Sequence, residues 1–169
     1  MNSALARKAV EASLLFLALG LAAGDVAAQA AKNLVGTWSL ASEINTDASG
    51  KKESTFGANQ YGQVIFTSDG HYVLLISRAD LPKFAANSRA KGTAEENKAV
   101  VAGSISHAGK YAVDEKDKSI TFHVASSTFP NWVGSDQKRS FSISGDQLKW
   151  SVASASAGGS AELVWKRAK

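Results

Sequence analysis

Three polar side chains fall in the inward phase of alternating apolar segments: His107, Tyr111 and Arg139. A histidine or a tyrosine can move a proton, and an arginine offers a fixed fork of donors that suits a carboxylate or a carbonyl. Phe122, Phe141 and Trp150 share that phase and would surround such a group with rings. Phe129 and Trp132 flank Pro130 on the loop between two of these segments, where aromatic side chains either plug an interior or cover a ligand. Together these residues are the ligand-binding candidates. Two readings of the polar members stand side by side. In one, His107 and Arg139 orient the carboxylate or carbonyl of an apolar ligand; in the other, His107 is a hydrogen-bonded core histidine and Arg139 snorkels to the rim.

Signals for catalysis are thin. There is no Gly-x-Ser-x-Gly elbow, no cysteine and no phosphate-binding loop, so no residue is assigned as catalytic. If the chain were an isomerase or a cyclase, His107 or Tyr111 would transfer the proton and Arg139 would stabilise charge. The histidines are far apart and out of common phase, His123 facing outward, so neither a metal site nor a cofactor is expected.

The positions of these residues depend on strands. Period-two alternation predicts eight of them, over 36–44, 62–68, 71–78, 105–114, 118–125, 137–144, 147–152 and 160–167. In the first, Trp38, Leu40 and Ile44 read as inward and Thr37, Ser39 and Glu43 as outward. Asp69-Gly70 reads as a two-residue hairpin, which would pair Phe66 with Val73 and Val64 with Leu75. Gly145-Asp146 would pair Ile143 with Leu148 and Phe141 with Trp150. A turn at Glu115-Lys116 would pair Val113 with Lys118, Tyr111 with Ile120 and His107 with Val124. Thr93 and Glu96 match a capping box and predict a helix from Ala94 to Ala102, ended by Gly103.

Eight antiparallel strands with one apolar face close into an up-and-down barrel, all-β but for that short helix. The tight turns fall at one end and the long connections at the other, so the barrel has a closed end and a mouth, and function belongs at the mouth. Ile65, Tyr72, Leu74 and Ile76 would form an outward apolar patch, which the helix, or failing that a dimer contact, would cover.

Residues 1–30 read as a signal peptide: basic Arg7 and Lys8, an apolar run over 12–23, and a small-x-small site at Ala28-Gln29-Ala30. The run is shorter than the roughly 20 residues that span a bilayer. One barrel domain over 31–169 is therefore expected, periplasmic or secreted, with no stable membrane anchor. A formal charge of +4, scattered in twos and threes, reads as a solvated surface and not as a nucleic-acid site. The chain is expected to be a monomer or a weak dimer.

The strand count, Leu34-Val35-Gly36-Thr37-Trp38 at the start and a basic residue closing the last strand resemble the lipocalins of the calycin group. Thr67-Ser68-Asp69-Gly70-His71-Tyr72, Thr93-Ala94-Glu95-Glu96-Asn97 and Ser127-Thr128-Phe129-Pro130-Asn131-Trp132 narrow this to the bacterial and fungal lipocalin-like proteins. The resemblance implies a barrel that holds one small hydrophobic or amphipathic molecule; some fungal relatives act as cyclases on polyketide products. The chain departs from many secreted lipocalins in lacking disulfides and in placing its helix after the third strand. Barrel closure brings the start of the first strand beside the end of the last. Gly36, Trp38 and Arg167 are therefore expected to be structural, with Arg167 over the Trp38 ring as in the lipocalin Trp–Arg pair. The interior is rich in Trp, Phe and Ile, so a filled barrel with no ligand is a further reading.

Overall fold

The structure is a computed structural model and describes residues 31–169. The proposed signal peptide lies outside the described residues. The strands are β1 (Gly36–Thr46), β2 (Lys52–Glu53), β3 (Tyr61–Phe66), β4 (His71–Ser77), β5 (Ser104–Asp114), β6 (Ser119–Ser127), β7 (Asp136–Ser144), β8 (Gln147–Val152) and β9 (Ser160–Arg167). Each long strand pairs antiparallel with its sequence neighbour, and β9 returns to pair with β1. The result is the closed eight-stranded antiparallel barrel expected from the alternation. The two-residue β2 is added to it, hydrogen-bonded to the end of β1. Helix α1 (Ala94–Ala102) has the expected capping box, with Thr93 accepting from the Glu96 amide and Glu96 accepting from the Thr93 amide.

The closed end is tied by Trp38 and Arg167. They are register partners on β1 and β9, and the guanidinium lies 4.1 Å from the indole centroid. Arg167 also donates to the carbonyls of Val35 and Asn33, and the Trp38 Nε1–H donates to the Leu34 carbonyl at 2.8 Å. Gly36 has φ +126°, and a Cβ there would come within 3.0 Å of Arg167 Nη1, so glycine is required where the chain passes beneath that side chain. All three residues meet where β1 and β9 close the barrel.

Three local registers differ from those read in the sequence. The Asp69-Gly70 hairpin closes through a three-residue loop, with Gly70 at φ +82° and Phe66 opposite Tyr72. A left-handed glycine ending a three-residue turn is the usual alternative to a two-residue hairpin. The shift is one residue, so β4 presents the opposite face. Tyr72, Leu74 and Ile76 are buried, and Val73 and Leu75 are exposed beside Ile65. The outward patch thus contains Ile65, Val73 and Leu75, and α1 does not cover it; α1 lies against β5 at the mouth.

On β1, a bulge between Leu40 and Ser42 reverses the alternation. Glu43 turns inward and Ile44 turns out, opposite to expectation, and Asn45 beyond them is buried as well. An extra residue in one strand switches every later side chain to the other face. The β5–β6 turn spans Glu115 to Lys118, so Val113 pairs with Ile120 and Tyr111 with Phe122. That shift is two residues and leaves the faces unchanged. A second bulge, at Ala125, places His107 opposite Ser127 in place of Val124. The β7–β8 hairpin has the expected pairs, Phe141 with Trp150 and Ile143 with Leu148.

The core fills the closed end and the middle of the barrel. Trp38, Phe66, Tyr72, Phe122, Trp150 and Trp165 are buried, and Phe66 with Trp150, Tyr72 with Phe122 and Phe122 with Trp150 meet edge to face, as the ring quadrupoles favour. Inside the barrel, empty space remains toward the mouth.

Candidate functional site

β5 and β7 both begin at the mouth, and His107 and Arg139 lie in their inward phase. Both are buried, with Arg139 5% exposed. They line one cavity with Leu74, Ile76, Ile105, Trp132 and Leu163, and Glu43 stands in its wall. Room for water-sized occupants in it is about 60 Å³.

The corrected face of β4 places a partner beside His107. Tyr72 Oη lies 2.8 Å from His107 Nδ1, and the two rings meet edge to face. Burial pushes the Tyr72 hydroxyl up to about 12, with Arg139 acting weakly in the other direction. Burial, with a further contribution from the Arg139 cation, pushes His107 down to about 3. At neutral pH the phenol therefore keeps its proton and the imidazole is uncharged. Tyr72 has no other hydrogen-bond acceptor among the described residues, so its O–H donates to Nδ1. The imidazole proton then resides on Nε2, which makes His107 a donor in the cavity wall.

Arg139 is the charged member. Its guanidinium stacks 5.0 Å from the Phe122 centroid and 5.9 Å from that of Trp150. Nη2 donates to Gln137 Oε1 at 2.6 Å. Nε is buried without a partner, and no carboxylate pairs with the side chain among the described residues. Burial lowers its pKa to about 10, which leaves it cationic at neutral pH.

Glu43 faces the same cavity but is occupied. It accepts from Ser54 Oγ at 3.0 Å, from the Thr55 amide at 2.9 Å and from Thr55 Oγ1 at 3.1 Å, and so ties the loop after β2 to the barrel. Tyr72 and Glu43 are the residues missed in the sequence. Gly70 carried the signal for the first, since a three-residue turn ending in left-handed glycine fits the same letters. Nothing around Ala41 marks the bulge that turns Glu43 inward.

The other candidates divide by depth. Trp132 lines the cavity and meets His107 edge to face at 5.5 Å; Phe129 backs it at the same distance. Phe122 and Trp150 form the floor beneath Arg139 and are fully buried. Phe141 packs half-buried against that core, away from the cavity lining. Tyr111 is turned toward the closed end, with its hydroxyl donating to the Thr67 carbonyl at 3.0 Å and its ring on Phe66. The structure thus brings together His107, Arg139 and Trp132 and leaves Tyr111 apart. His123 is exposed on the outer face, hydrogen-bonded to Asp136.

The arrangement can accept one oxygen-rich group against two donors in an apolar, ring-lined recess. The wall is poorly suited to removing a proton: its imidazole presents N–H, and its carboxylate is already engaged by three donors.

A family model described as a lipocalin-like domain matches residues 35–168. No curated protein matches the chain. Among solved structures, the crystal structure of a point mutant of the fluorescent protein UnaG is similar at a TM-score of 0.38 and 12% identity, covering 81% of this chain and 97% of that one.

Proposed function

The chain belongs to the lipocalin-like domain family, and from that premise we propose that it is an exported protein that binds one small hydrophobic or amphipathic molecule at the mouth of its barrel. The observation that carries this reading is the buried Arg139 guanidinium, with an unpartnered Nε, in the wall of a largely apolar cavity. An unpaired buried charge costs folding free energy, and a bound polar group would offset that cost. Export is supported by the composition of residues 1–30, and no helix among the described residues is long and apolar enough to cross a membrane.

Native mass spectrometry of the protein recovered from the exported fraction of its own cells tests both parts. The expected result is a mature chain starting near Ala31 that carries a small apolar molecule. A chain that retains residues 1–30 in the cytoplasm would overturn the export part. A bare protein that also binds nothing from a lipid panel would overturn the binding part, leaving a filled barrel.

The Tyr72–His107 hydrogen bond gives the isomerase or cyclase reading its one supporting observation. The donor character of the inward imidazole makes binding the better fit.

A further inference from the structure

The cavity beside Arg139 has room of about 60 Å³. By the usual allowance of about 10–15 Å³ of such space per water, that is a few waters and not an amphiphile. A small amphipathic molecule therefore enters only where the wall can part. Most seams of the barrel are laddered as far as the mouth. β4 pairs with β5 to Ser77 and Ser104, β8 with β9 to Val152 and Ala161, and β9 with β1 to Ser160 and Thr46. Two seams stop short: β1 and β3 part after Ser39 and Gln63, and β7 and β8 part after Phe141 and Trp150.

The first gap is stitched. β2 pairs with Asn45 and Thr46, and Glu43 accepts three hydrogen bonds from Ser54 and Thr55 of the loop that follows. The second is not. Beyond Phe141 and Trp150, β7 runs on over 136–140 paired with β6, and β8 runs on over 151–152 paired with β9. Among the described residues, no side-chain hydrogen bond or ion pair joins 136–140 to 151–159; Lys138 bonds to Asp117 and Arg139 to Gln137. The loop 153–159 that continues β8 makes its backbone hydrogen bonds within itself, Ala155 with Gly159 and Gly158 with Ala155. Outside this seam is a hollow lined by Lys138 and Ser140 on one side and Ser151 on the other. Val152 and Ala161 line both that hollow and the cavity, and they close the wall between the two.

We propose that ligand reaches the cavity through the side of the barrel, where the end of β8 and the loop 153–159 move away from β7 beside Arg139. This rests on the binding reading above and specifies the route. Parting any fully laddered seam breaks strand hydrogen bonds. Parting this one exposes small side chains, Val152 and Ala155, and breaks no ladder pair, so it is the opening of lowest cost.

The chain has no cysteine, so introduced pairs can be bridged cleanly. Ser140 and Ser151 are exposed on either side of the seam. Ser140→Cys with Ser151→Cys, joined by a short bismaleimide, ties β7 to β8. Stopped-flow fluorescence follows association of 8-anilinonaphthalene-1-sulfonate with the same mature variant before and after bridging. Bridging is expected to slow association by at least about tenfold, as for a closed gate. A second bridge, Lys138→Cys with Ala153→Cys, repeats the test nearer the rim and serves if the first variant misfolds. Val73→Cys with Ala108→Cys, register partners on the laddered β4–β5 seam, is expected to leave the rate unchanged when bridged. An unchanged rate with the β7–β8 seam bridged would overturn the side route and leave the binding function in place. Equal slowing by the β4–β5 bridge would overturn it as well, since the effect would not belong to this seam. If the dye does not bind the unaltered protein, the route and the binding reading fail together.

Discussion

The hydroxyl of Tyr72 lies 2.8 Å from Nδ1 of His107, joining β4 to β5 inside the barrel. This bond fixes the histidine's tautomer and so decides what the cavity wall presents. Tyr72→Phe removes the donor and leaves a buried ring nitrogen unsatisfied. It is expected to cost about 1–3 kcal/mol in denaturant unfolding. In the unaltered protein, nitrogen NMR should show the His107 proton on Nε2; a proton on Nδ1 would reverse the assignment of donor and acceptor.

Stability should depend on pH through His107. Its folded value is held at about 3, by burial first and the Arg139 cation second, whereas an unfolded imidazole titrates near ~6.5. The folded value is depressed, so the contribution is complete above about pH 6.5 and is lost as pH falls toward 3. Over that window the unfolded chain takes up a proton that the folded chain refuses. Unfolding free energy measured from pH 6.5 down to 4 should fall by about 1.4 kcal/mol per unit from this group. His107→Gln should show a slope shallower by one proton; identical slopes would rule out a neutral buried imidazole.

Arg139 is expected to be held for binding at the expense of stability. Its guanidinium is buried without a carboxylate, and a methionine of similar length would pack against Phe122 and Trp150 without that desolvation. Arg139→Met should therefore be as stable as the unaltered protein in denaturant unfolding, or more stable by up to about 4 kcal/mol. A large loss of stability would mean that the charge is compensated in solution.

Trp38→Ala should be the most damaging of these changes. It removes a fully buried indole, its hydrogen bond to Leu34 and the surface on which Arg167 stacks. The expected cost is about 3–5 kcal/mol. Ligand selectivity should be unchanged in whatever fraction remains folded, because the pair lies at the end opposite the mouth. An unmoved melting temperature, or an altered ligand preference, would contradict this.

Much of the architecture is legible in the letters. The eight alternating segments, the capping box at Thr93 and Glu96, the Trp38–Arg167 closure and the division into closed end and mouth all follow from local pattern and the geometry of a closed sheet. His107, Arg139 and Trp132 are legible too, because each lies in strand phase or on a mouth loop in a way that local spacing reports. The separation of Tyr111 from them is hidden. Alternation gives a residue's side of the sheet and says little about its depth along the barrel, and Tyr111 is inward but near the closed end.

What only the tertiary structure decided is the identity of the site's polar partners. Tyr72 and Glu43 each depend on a single inserted residue: the third member of the turn that ends at Gly70, and the bulge between Leu40 and Ser42. A side-chain period of two makes one residue enough to exchange the faces of a strand. The local sequence tolerates either register. The choice is made by long-range burial, which places Tyr72, Leu74 and Ile76 in the core and, on β1, Glu43 within reach of Ser54 and Thr55. Composition and periodicity therefore determined that this chain is a barrel with a mouth. The packing of strands around that barrel determined that its recess presents two donors, one of them the buried Arg139 cation.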